Sequence, residues 1–163
     1  MLQLNRIAAS LLLVSTLFLA NLPVLAQKKA GKPNPDEPVI HDYILTMDRV
    51  QLYAAAVREI EAGAQDPAVV AEGKKVQNYN GSSVAKARMI ETSCPHLNAW
   101  IQAHGMTAQE FEILPMTLIT AGMASYAVDK GGKAPAYVNP ANVQFVKDHK
   151  DELDKMGISG SSE

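Results

Sequence analysis

"MTAQEFEILPMTLITAGMASYAVD", residues 106–129, is the stretch that decides the fold. It opens with a capping box: the Thr107 hydroxyl and the Glu110 carboxylate stand three residues apart, so each can take a backbone N–H that the first turn of a helix leaves unpaired. Met106 and Phe111 occupy the two positions of a hydrophobic staple at the same boundary. From Ile113 to Val128 no residue is charged. Such a run is either a helix in a core or a membrane span. It is bounded by Glu112 and Asp129 and interrupted by Pro115, Thr117, Thr120 and Ser125, and it falls short of the roughly 20 apolar residues that cross a bilayer. The stretch therefore predicts a buried central helix over about 108–129, kinked where Pro115 removes one ladder hydrogen bond.

Outward from this helix the chain reads as further helices. Met47, Val50, Ala54 and Val57 recur at three- and four-residue steps, predicting a helix over about Tyr43–Ala62 that Gly63 ends. Asp66-Pro67 and Asn139-Pro140 each place a capping side chain before a proline at the first helical position. The first opens a short helix that ends near Gln77. The second opens a last helix whose seam is Val146, His149, Leu153 and Met156, with Gly157 as its stop. Ser82 or Ser83 caps a helix carrying Val84, Ala87 and Ile90, and Pro95 kinks it or begins a new one that ends at Gly105. The fold class is all-α: a bundle of four longer helices plus one or two short ones around the kinked central helix.

The termini read differently. Residues 1–26 form a signal peptide: a start with one positive charge, an apolar run from Ile7 to Leu22, and a Val24-Leu25-Ala26 cleavage site before Gln27. Residues 27–41, with Pro33, Pro35 and Pro38 among lysines, read as a disordered or extended lead. Residues 42–157 form a single helical domain and 158–163 a frayed tail. The periplasm or the outside is the expected destination, with no stable membrane insertion once the leader is cut. The formal net charge is −2, one unit more negative without Arg6, which argues against nucleic acid as a partner. The chain has one cysteine, so no disulfide within it can staple the fold.

Three further stretches carry a resemblance: "DYILTMDRV" at 42–50, "HGMTAQEF" at 104–111 and "NPANVQFVKDHKDEL" at 139–153. Together with the leader they resemble a group of small exported helical proteins of Gram-negative bacteria without assigned activity. The resemblance implies location and fold, and it brings no catalytic residues.

Candidate chemistry is concentrated in "SCPHLNAWIQAHG", residues 93–105. His96 and His104 stand about 12 Å apart along a helix at 1.5 Å per residue, too far to share a metal unaided. Haem or copper on His149, His96, His104 or Cys94 is an alternative reading, without covalent haem attachment because Cys-x-x-Cys-His is absent. Cys94 could also be a nucleophile at a helix start, which makes a cysteine-dependent enzyme the second alternative. No glycine-rich elbow surrounds it, and a small buried residue at a helix junction is its ordinary meaning. The leading expectation is a non-enzymatic binding module without a cofactor. Its partner is an exported protein or a small apolar ligand, taken up between helices by Trp100, Met116, Met123 and Tyr126.

Overall fold

The computed structural model describes residues 34–63 and 65–158. Among them the chain forms eight α-helices and no β-strand. The helices are α1 (Asp36–Asp42), α2 (Met47–Ala62), α3 (Pro67–Gln77), α4 (Ser83–Ser93), α5 (Pro95–Ala103), α6 (Ala108–Asp129), α7 (Pro140–Asp148) and α8 (Lys150–Lys155).

The helix starts follow the local chemistry. Asp66 accepts from Ala68 N–H at 2.7 Å, Ser82 from Ala85 N–H at 3.1 Å, and Asn139 from Ala141 N–H at 2.9 Å. Both halves of the Thr107–Glu110 capping box are made. Gly63 ends α2 in the left-handed region at φ 65°, where a Cβ would be strained.

α6 is central: α1, α2, α4, α5 and α7 all pack against it. Its inward side presents Ile113, Leu114, Thr117, Leu118, Ala121 and Ala124 to a core that includes Val50, Ile90, Cys94, Leu97, Ile101, Val143 and Leu153. Thr117 is buried without an orphaned hydroxyl because its Oγ1 donates to Ile113 O at 2.9 Å. The helix runs 22 residues, continuous through Pro115.

Long-range polar clamps hold the smaller pieces. Asp36 of α1 is buried and its carboxylate accepts from Ser83 N–H (2.8 Å) and Val84 N–H (3.0 Å), so α1 caps α4 from a distance. Asn142 of α7 is 1% exposed; its Oδ1 accepts from Leu45 N–H and its Nδ2 donates to Tyr43 O. Asn139 Nδ2 donates to His41 O. These bonds fix the extended stretch between α1 and α2.

Several expectations are corrected. The lead was expected to stay disordered or extended through His41, but α1 forms over its last part. Pro35 and Pro38 fall at or within the helix's first turn, where backbone N–H groups have no partner inside the helix, and Ile40 is buried in return. α2 begins at Met47 rather than Tyr43, because Thr46 caps it and residues 43–46 are clamped extended. The expected single last helix divides at His149, whose ψ of 16° restarts the ladder as α8, with Leu153 buried. Ile158, expected to begin the frayed tail, bonds back to Leu153 O and packs against the core. The expected burial of α6 holds for one side only: Met123 and Tyr126 are exposed. Residues 1–33, which contain the expected signal peptide and the start of the lead, and residues 159–163 lie outside the described residues.

Candidate functional site

The cluster of histidines, tryptophan and cysteine is spent on joining helices. Glu59 of α2 reaches α5 with both oxygens. Oε1 accepts from Trp100 Nε1 at 2.7 Å, and Oε2 lies 2.9 Å from His104 Nε2. The other ring nitrogen of His104 faces Trp100 O at 2.9 Å. The Trp100 bond first, and then His104, hold the Glu59 carboxyl below the usual carboxylate range. Trp100 also meets the His104 ring at 4.4 Å and Phe111 edge-on at 6.1 Å. Nearby, Arg49 donates from Nη1 to Gly105 O at 2.8 Å and pairs with Glu110 at 3.4 Å. The same patch holds Tyr43, whose hydroxyl is pushed up to about 12 by burial and by Glu110, with Arg49 opposing.

Glu72 of α3 caps α5 in the same manner. It accepts from Leu97 N–H at 2.8 Å and lies 2.9 Å from His96 Nδ1. Desolvation works against the Glu72 carboxylate, but the Leu97 and His96 bonds outweigh it and hold its carboxyl low. The Glu72 bond raises the His96 imidazole. Cys94 sits at the α4–α5 junction with 0% exposure. Burial pushes its thiol up, the Glu72 carboxylate adds to this, and Lys75 opposes it. A thiol raised in this way is a poor nucleophile at neutral pH. His149 lies far along the chain on the α7–α8 junction, its ring tilted against Phe145 at 4.6 Å and its Nδ1 3.5 Å from Glu152. Among the described residues no group of three or more His, Cys, Asp or Glu side chains is placed to hold a metal ion.

The four residues expected to line a pocket are not brought together. Trp100 belongs to the α2–α5 cluster beside Phe111. Met123 and Tyr126 lie farther along α6, about 18 Å or more from Phe111 at 1.5 Å per residue. Met116 is half-buried between them. Two surface depressions, of about 470 and 300 Å³, are lined by the charged run Lys147–Glu152 with Lys155, and by Tyr79, Ala85, Arg88, Met89, Thr92 and Ser93. Neither contains any of the four.

Three of the four do share a surface. Glu112, Met116, Ile119, Met123, Tyr126 and Lys130 follow one another along α6 at steps of four and three. At about 100° per residue they stay within about 40° of one line, opposite the buried line through Leu114, Leu118, Ala121 and Ser125. Met123 is 45% exposed, Tyr126 67%, and Met116, Ile119 and Gly122 are half-buried. Lys130 Nζ rests 5.6 Å from the Tyr126 ring centre, which places it on the same strip. The helix is long and apolar enough by composition to cross a membrane, yet one side of it builds the core. Sequence reasoning missed this strip because α6 is apolar all round, and only the packing tells which side the core takes.

The chain matches no family model, no curated protein and no solved structure.

Proposed function

We propose that this chain is an exported helical interaction module that binds a protein partner through the outward strip of α6. The observation that carries the reading is the exposure of Met123 and Tyr126 on a helix uncharged from Ile113 to Val128. An ordinary solvated face carries charged side chains, as α2 does with Asp48, Arg58 and Glu61. A contiguous apolar strip with charges only at its ends is the pattern of a contact surface. The strip is open rather than enclosed, which favours a protein over a small apolar ligand. The leader pattern and the resemblance to exported proteins support the location. The alternative cofactor reading finds its histidines engaged: His96 by Glu72, His104 by Glu59, His149 by Glu152.

A photo-reactive phenylalanine analogue at position 123, tested in the producing cell, is expected to yield a discrete cross-linked band. The same analogue at the exposed Asp151 of α8 is expected to give none. Equal labelling from the two positions would remove the reading.

A further inference from the structure

The ring of His104 is held between two acceptors on two different helices. We infer that the joint between α2 and α5 is a proton-operated clasp: a doubly protonated His104 ties the end of α2 to α5, and loss of one ring proton releases it.

The partners of the ring fix its charge. His104 Nδ1 faces Trp100 O at 2.9 Å, and Nε2 faces Glu59 Oε2 at 2.9 Å. A backbone carbonyl only accepts. Glu59 only accepts as well: its carboxyl is held low, first by the bond from Trp100 Nε1, and stands ionised. A neutral imidazole has one N–H and one lone pair, so it would set a lone pair against an oxygen on one side or the other. The doubly protonated ring donates to both. Two further features favour the cation. His104 is the C-terminal cap of α5, where the helix dipole is negative. Its ring centre lies 4.4 Å from that of Trp100, within reach of a cation–π attraction.

The other charged groups around this end of α5 are engaged with each other. Arg49 of α2 donates to Gly105 O and pairs with Glu110 of α6 at 3.4 Å. On α5 itself the other titratable side chain is His96, which Glu72 of α3 holds at the opposite end.

The packing makes the charge of the ring matter. After Val57, α2 has little purchase on the core: Arg58, Ile60, Glu61 and Ala62 are exposed, and the half-buried Glu59 reaches across to α5. The proton on His104 is therefore part of what holds this end of α2 down. The closed clasp keeps a proton that the open one gives up more readily. Closure is favoured at low pH and is lost as pH rises through the range in which histidine titrates.

The test is NMR on the whole chain, which has one tryptophan and so one indole N–H signal. From about pH 5 to about 9, the ring nitrogens of His104, identified by their loss in His104→Gln, should pass from imidazolium to neutral imidazole. The indole signal should leave its carboxylate-bonded position over the same range, and the two curves should share a midpoint. In His104→Gln the indole signal should not follow pH over this range. Glu59→Gln offers the neutral ring an amide N–H to accept, while its amide oxygen still takes the indole N–H. That variant should stay closed on the alkaline side. Its indole N–H should exchange with water about tenfold or more slowly than that of the wild type at the same pH, the effect of one hydrogen bond to a charged group. An indole signal that stays in place while the wild-type His104 ring loses its proton would overturn the inference. So would an indole pH profile that His104→Gln leaves unchanged, or a Glu59→Gln variant that opens at alkaline pH as the wild type does.

Discussion

Replacing Asn142 with alanine is expected to lower the unfolding free energy by about 3 kcal/mol, close to the sum of two buried polar groups left unpaired. Asn142 is 1% exposed and makes its two bonds, from Leu45 N–H at 2.9 Å and to Tyr43 O at 2.7 Å, with residues almost a hundred positions away. Leu45 is itself buried, so water does not replace the lost partner without opening the core. Asn142→Asp keeps an acceptor for Leu45 N–H but turns the donor toward Tyr43 O into a second acceptor, and it buries a charge. It should be destabilised at least as much as the alanine variant. Urea unfolding checks both, and the midpoint should fall without a change in slope. A midpoint within experimental error of the wild type for both variants would show that the clamp between the 43–46 stretch and α7 carries no weight.

The second large effect is a gain. Burial raises the Glu112 carboxyl to about 7 from an ordinary 4.5; Lys86 opposes the shift and Asp36 adds to it. Glu112 in turn joins burial in raising the Tyr53 hydroxyl. A carboxyl whose folded value is raised keeps its proton longer in the folded chain than in the unfolded one. Stability therefore falls as pH rises from about 4.5 to about 7, and the full penalty persists above that. At about 1.4 kcal/mol per pH unit the shift corresponds to about 3 kcal/mol. Water reaching this half-buried group reduces it to roughly 2. Glu112→Gln should thus stabilise the dilute chain by about 2 kcal/mol at pH 8 and by almost nothing at pH 4.5. Thermal unfolding at the two pH values checks it; a gain of the same size at both would mean that charge is not the cause.

What the sequence revealed and what it hid divides by range. Thr107 and Glu110, Asp66-Pro67, Asn139-Pro140 and Gly63 were legible because each acts on backbone within four residues, and each acts in the structure as its chemistry dictates. α1 was not legible. Its prolines and charges are those of an unstructured segment, and the bonds that hold Asp36 come from Ser83 and Val84, forty-seven and forty-eight positions on. The break at His149 was hidden for a related reason: the apolar seam through Val146, His149 and Leu153 continues in the sequence while the backbone restarts. His96, Trp100 and His104 stand close together in the sequence, but their partners Glu59 and Glu72 lie on other helices at no recognisable spacing. Met116, Met123 and Tyr126 were found by type. That they face outward follows from which side of α6 the core uses, and a helix apolar on every side does not encode that locally.

The two-sided character of α6 is most directly tested by hydroxyl-radical footprinting of the chain in dilute solution. Met123 and Tyr126 should be modified at rates near those of the unfolded chain, while Met106, 3% exposed, and Tyr53, 8% exposed, are spared. Protection of Met123 and Tyr126 to the same degree as Met106 and Tyr53 in the dilute chain would contradict an open strip on the central helix.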